Sequence, residues 1–97
     1  MMEQLKNKEI EEKLNKINGW ELIDNAIEKT FLFKDFKEAM SVMQHIAFEA
    51  EELNHHPEWF NVYNKLNIRL TTHDAQGITD KDFILADKID SIVSHKK

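Results

Sequence analysis

Twice along the chain, two short strand-like runs stand on either side of a turn of only two residues, and this repetition constrains the fold more than any other feature. The first pair occupies residues 20–23 and 26–34 around Asp24-Asn25. The second occupies residues 59–62 and 65–72 around Tyr63-Asn64. Strands joined so tightly must run antiparallel. In the last run Leu66, Ile68 and Leu70 alternate with Lys65, Asn67, Arg69 and Thr71, the period-two pattern of a strand with one dry and one wet face. Ile27, Lys29, Phe31 and Phe33 likewise share one face of the second strand.

Helical spacing fills the remaining chain. Ile10, Leu14 and Ile17 predict a helix over about residues 5–17, with Gly19 placed to end it in a left-handed cap. Trp20 then reads as the contact closing that cap rather than as a ligand-stacking ring. Asp35 followed by Glu38 resembles a capping box and opens a long helix. Its stripe of Phe36, Ala39, Met40, Met43, Ile46, Ala47, Ala50 and Leu53 reads as core rather than as a Met-rich ligand surface. After Gly77, Thr79 with Asp82 three residues on marks the start of a last helix carrying Phe83, Ala86, Ile89, Ile92 and Val93. The expected class is α+β: a four-stranded antiparallel sheet with three helices packed on one face, in the order α-β-β-α-β-β-α. The other face and at least one sheet edge are left for another subunit.

Composition bounds the chemistry. A chain of 97 residues with 41% hydrophobic and 32% charged residues, two Gly and one Pro suits one ordered domain spanning residues 1–97. There is no cysteine, so disulfides, thiolate metal sites and cysteine nucleophiles are excluded. A net charge of −5 with interleaved basic residues argues against nucleic acid; only His95-Lys96-Lys97 is locally basic. No run of about 18 apolar residues appears, and the start Met1-Met2-Glu3-Gln4-Leu5-Lys6 lacks the features of a signal peptide, so a cytoplasmic protein without membrane contact is expected.

Three of the five histidines fall between Glu51 and Asp74. His55 and His56 lie in the turn between the long helix and a strand, where both rings can face one cavity, and Pro57 holds the preceding residue extended. His73 follows the hairpin's second strand, at the end that returns to the hairpin's start near Trp59, so it should approach the other two. Glu51, Asp74 and Asp82 are near enough to orient imidazoles or bind a ligand's polar edge. Imidazoles beside carboxylates are the usual proton carriers of catalysis. A His₃ zinc site is the alternative use of the same rings. Asp82 has a capping role and a site role open to it, Tyr63 suits the turn, and His45 and His95 read as ordinary surface or core residues.

The pattern Glu51, His55-His56-Pro57, Tyr63, His73 and Asp82, with the unbroken run from His55 to Lys65, resembles the pterin-4a-carbinolamine dehydratase family. The likeness extends to Gly19-Trp20 and to Phe33-Lys34-Asp35-Phe36, and so spans nearly the whole chain. Asn54 is a departure, standing where many members carry Asp; the change keeps hydrogen bonding and removes a charge.

The resemblance implies dehydration of a 4a-hydroxytetrahydropterin to the quinonoid dihydropterin, the recycling step that follows aromatic amino acid hydroxylases in tetrahydrobiopterin metabolism. It implies no metal and no redox cofactor. His56 and His73 would be acid and base near the C4a hydroxyl, with His55 orienting or sharing that role. Glu51, Asn54, Pro57, Thr71, Thr72, Asp74 and Asp82 would bind the pterin, and Trp59 would pack along its ring. Members form dimers or tetramers, so a homodimer or homotetramer is expected. In animals some also serve as dimerisation cofactors of a homeodomain transcription factor, which sets a binding module beside the enzyme as the competing class.

Overall fold

The computed structural model describes residues 3–96; Met1, Met2 and Lys97 lie outside the described residues, and with them both ends of the expected domain and the last residue of the basic tail. The elements are α1 (Asn7–Leu14), β1 (Glu21–Ile23), β2 (Ala26–Leu32), α2 (Phe36–Leu53), β3 (Glu58–Val62), β4 (Lys65–Leu70), a single 3-10 turn (His73–Ala75) and α3 (Asp80–Lys96). The expected α+β order is borne out, with the 3-10 turn as an addition. The strands form one antiparallel sheet in the order β1-β2-β4-β3.

Each hairpin turn uses left-handed backbone. Asp24 and Asn25 have φ of 47° and 65°, the pair of positive values that a type I′ turn needs and that Asp and Asn tolerate. Tyr63 has φ 52°, and the following Asn64 pins the second turn to the end of β2 by exchanging two bonds with the backbone of Phe33.

Register separates a dry face from a wet one. Ile27 opposes Leu70, Lys29 opposes Ile68, which in turn opposes Trp59, and Phe31 opposes Leu66. These apolar residues pack against Ile10 of α1, Ala39, Val42, Ile46 and Ala50 of α2, and Phe83, Leu85, Ala86, Ile89, Ile92 and Val93 of α3. Lys29 is the charged residue on this face, and its surroundings explain it. Its Nζ lies 2.7 Å from Asp90 Oδ1 and 2.8 Å from the Asn18 carbonyl, over the rings of Phe31 and Trp20. Trp20 Nε1 donates to the other Asp90 oxygen at 2.9 Å. Trp20 is therefore a buried strut to α3, set edge-on to Phe31.

Three expectations shift. The first helix ends at Leu14 rather than near Ile17, with Asn15 still in the right-handed region, so Gly19 does not cap it. Gly19, at φ 85°, instead closes the irregular turn that feeds β1, while Leu5 and Ile17 reach the core from outside the helix. On α2, the buried stripe is Ala39, Val42, Ile46 and Ala50; Phe36 and Met40 are about half exposed and Ala47 is exposed. Only one side of α2 is covered, so an apolar arc wider than the contact leaves its flank in solvent. The Asp35 cap forms with the Glu38 N–H at 2.8 Å, but Glu38 reaches back to the Lys34 N–H, one residue before the N-cap.

The sheet's outer face carries Leu32, Phe60 and Val62 in the open, beside a charged row of Glu28, Arg69 and Glu58. Among the described residues no helix is long and apolar enough to cross a membrane.

Candidate active site

The site begins where α2 stops. Asn54 adopts the left-handed conformation, φ 54°, and the chain closes a Schellman motif: the His55 N–H bonds the Ala50 carbonyl at 3.0 Å, and the Asn54 N–H bonds that of Glu51 at 3.1 Å. Asparagine tolerates this backbone. Its neutral amide also avoids setting a carboxylate at the negative end of the helix dipole, which gives the departure at this position a local physical reason. Reversing the chain here throws His55 inward and His56 outward.

His55 is buried, and its Nε2 lies 2.6 Å from Oδ1 of Asp82, which is wholly buried. A carboxylate oxygen only accepts, so Nε2 carries the hydrogen and Nδ1 is the nitrogen left for other work. Oδ2 of Asp82 accepts from the Thr72 hydroxyl and from the Thr79 N–H, both at 2.9 Å. With the Thr72 hydroxyl spent on Asp82, the Thr79 hydroxyl donates to Thr72 at 2.8 Å and accepts the Lys81 N–H at 3.2 Å. Every donor in this knot has a direction. Asp82 is thus both the reciprocal acid at the Thr79 cap and the carboxylate that holds His55. Among the described residues no buried side-chain nitrogen or oxygen lacks a partner.

The other two imidazoles follow the same pattern in the open. His56 Nε2 lies 2.8 Å from Glu51 Oε1, one turn back on α2. His73 stands on the 3-10 turn of a six-residue loop whose ends, Thr72 and Gly77, bond to each other through both backbone groups. Its Nε2 lies 2.9 Å from Oε2 of Glu58. The three rings, with Asn54, Thr71, Thr72, Asp74, Ala75 and Lys81, line one open cavity of about 450 Å³.

Seven of the sequence-derived residues, Asn54, His55, His56, Thr71, Thr72, His73 and Asp74, therefore meet at this cavity. Glu51 and Asp82 are not among the lining residues; each contacts a histidine that is. Pro57 and Trp59 are not among the lining residues. Trp59 points to the helix side of the sheet, where it lines a groove with Met40, Met43 and Ala47. The period-two alternation of β3 sends Trp59 to the face opposite Glu58. Glu58 and Lys81 went unforeseen. The hairpin argument that brought His73 toward the start of β3 applies equally to Glu58, the first residue of that strand; for Lys81 the sequence holds no signal, since the Thr72–Thr79 contact that draws the start of α3 to the cavity is tertiary. Among the described residues no three His, Asp or Glu side chains are grouped so as to hold a metal ion.

Residues 3–92 match the family model described as pterin 4 alpha carbinolamine dehydratase. A relative from Christiangramia forsetii is 53% identical over 93 residues, covering 96% of each chain, and one from Sulfurisphaera tokodaii is 53% identical over 93 residues, covering 96% of this chain and all of the other. Both carry the name pterin-4-alpha-carbinolamine dehydratase provisionally. A crystal structure from Brucella melitensis, described as a transcriptional coactivator/pterin dehydratase, superposes with a TM-score of 0.89 at 42% identity, covering 92% of this chain and 97% of that one. A pterin dehydratase-like protein described as a RuBisCO assembly factor in the alpha-carboxysome shares the fold, with a TM-score of 0.63 at 18% identity over 75% of this chain and 84% of that one.

Proposed function

The chain belongs to the pterin 4 alpha carbinolamine dehydratase family, and on that premise we propose that it dehydrates a 4a-hydroxytetrahydropterin to the quinonoid dihydropterin and water. The C4a–O bond breaks, one imidazolium delivers a proton to the departing oxygen, and a neutral imidazole takes the proton from N5 as the C4a–N5 double bond forms. The observation that carries this reading is the set of three imidazoles around one cavity, each with its Nε2 tied to its own carboxylate, Asp82, Glu51 or Glu58. Tying Nε2 leaves Nδ1 as the exchanging nitrogen in all three.

His56 and His73 are the acid and base in this proposal, since they are exposed enough to trade protons with substrate and water. His55, buried and held by Asp82, orients the pterin or shares the proton relay. Asn54, Thr71, Thr72 and Asp74 supply polar contacts to the pterin edge, with Glu51 and Asp82 behind the histidines. Cytoplasmic tetrahydropterin recycling, paired with an aromatic amino acid hydroxylase, is the setting this activity suits. A homodimer or homotetramer is part of the same proposal, and the exposed Leu32, Phe60 and Val62 on the open sheet face are consistent with it.

The experiment is absorbance-monitored dehydration of a freshly generated 4a-hydroxytetrahydropterin by the wild type, His56→Ala and His73→Ala. Each histidine removed should cost roughly 10²–10⁴-fold. A folded wild type that gives no acceleration would leave the second reading, a protein-binding module. That reading is favoured by the Brucella structure's description as a coactivator and by the half-exposed Phe36 and Met40 on α2.

A further inference from the structure

We propose that Glu58 and Arg69, on the outer face of the sheet, are positioning residues for His73; as a statement about turnover this rests on the dehydratase reading, and as a statement about the imidazole it stands alone. The geometry starts from register. Glu28, Arg69 and Glu58 oppose one another across β2, β4 and β3, and antiparallel pairing puts all three on the face away from the helices. Arg69 is held at three points. Its Nε lies 3.5 Å from Glu28 Oε2, its Nη2 donates to the Asp24 carbonyl at 2.8 Å, and its Nη1 lies 3.3 Å from Glu58 Oε1.

With one oxygen tied to Arg69, Glu58 turns the other, Oε2, to His73 Nε2 at 2.9 Å. The chain of contacts therefore runs from the β1–β2 turn across three strands to the cavity. His73 needs such a tether more than its neighbours do. Its side chain is 78% exposed, against 9% for His55, so packing does not hold the ring. The loop that carries it is short and closed, which fixes the backbone but leaves the imidazole free to rotate and exchange tautomers. A carboxylate at Nε2 selects the Nε2–H tautomer and directs the Nδ1 lone pair away from Glu58. Arg69 in turn limits the rotamers from which Glu58 can make that bond, because its Nη1, itself held in place by the Glu28 and Asp24 contacts, draws Oε1 to one side and leaves Oε2 toward His73.

Arg69 also braces Glu28 and Asp24, so its loss has a purely structural component that has to be separated. The separation is a double-mutant cycle on the full chain, using Glu58→Ala, Arg69→Met and the double variant, with Glu58→Gln added as an isosteric variant that replaces one accepting oxygen by a donor. Two quantities are read in each. One is the His73 tautomer, from long-range proton–nitrogen correlations of the imidazole, assigned by its loss in His73→Gln. The other is kcat and KM for dehydration.

The expected result is a single Nε2–H tautomer in the wild type and a mixture in Glu58→Ala, whereas Glu58→Gln, whose one oxygen stays on Arg69 and whose amide NH2 then faces His73 Nε2, should shift the ring toward the Nδ1–H tautomer. Arg69→Met should fall between the wild type and Glu58→Ala, and the double variant should match Glu58→Ala. Turnover should drop about two- to fivefold in Glu58→Ala, the scale of a solvent-exposed pair, with KM little changed. A proton carrier out of place is felt in the transition state, which is why kcat carries the loss. Two results overturn the proposal: a wild-type tautomer that survives Glu58→Ala, or an Arg69→Met effect on His73 that is as large without Glu58 as with it. If the wild type does not turn over at all, the dehydratase reading falls and the tautomer cycle still decides this one.

Discussion

Replacing Asp82 by alanine should unfold a large share of this protein's stability, because one buried carboxylate serves three donors at once. Asp82 is 0% exposed and accepts from His55 Nε2, the Thr72 hydroxyl and the Thr79 N–H. Removing it abolishes the reciprocal half of the α3 cap, a loss of about 1 kcal/mol. It also leaves the buried His55 donor and the part-buried Thr72 hydroxyl without their acceptor, at roughly 1 kcal/mol each. The sum is about 3 kcal/mol, against a total of roughly 5–15 kcal/mol for a small domain. Urea unfolding followed by circular dichroism should show the midpoint falling with the slope unchanged, and the melting temperature dropping by about 12–24 °C. Asp82→Asn keeps one accepting oxygen and the shape, so it should lose about half as much. A Asp82→Ala protein within about 1 kcal/mol of the wild type, or an Asn variant as unstable as the Ala one, would refute the reasoning that this carboxylate is the hub of the site.

Two further outcomes test local backbone arguments. Gly19→Ala should cost about 1–2 kcal/mol by thermal melting, since an L-residue at φ 85° is strained and its Cβ would stand 2.9 Å from Lys29 Cε, pressing on the Lys29–Asp90 pair; a change within about 0.3 kcal/mol would contradict this. Asn54→Gly should leave stability within about 0.5 kcal/mol of the wild type, because glycine is the default at a left-handed helix end, whereas Asn54→Val should cost more than 1 kcal/mol and disorder the His55–His56 turn. Chemical denaturation of the two side by side checks the ordering, and equal stabilities would show that the Schellman geometry does not set this turn.

A closer look at individual residues shows where local pattern stops being informative. Leu66, Ile68 and Leu70 are all wholly buried, as their alternation predicts, because a strand's faces are set by a period of two whatever the strand packs against. The stripe on α2 was less faithful: Val42 is buried and Met40 is half exposed, because a helix has a continuous circumference and the neighbour decides which arc is covered. Gly19 has the positive φ expected of it but does not cap α1, since a positive φ is a property of one residue while a cap depends on where four preceding carbonyls lie.

The same division holds for the site. By itself the sequence determined the antiparallel sheet, the order of the elements and the meeting of His55, His56 and His73, because short turns and hairpin closure bring those residues together through local geometry. Tertiary structure alone decided which carboxylates hold His55 and His73, whereas the Glu51–His56 pair is local to the end of α2. Asp82 reaches His55 across 27 residues and Glu58 reaches His73 across 15, distances in sequence that are spanned only when α3 docks on the sheet and β3 pairs with β4. Hydrogen bonds are specified to a few tenths of an ångström, whereas hydrophobic periodicity specifies a face, and that difference in physical resolution is why the fold was legible in the chain and the wiring of the site was not.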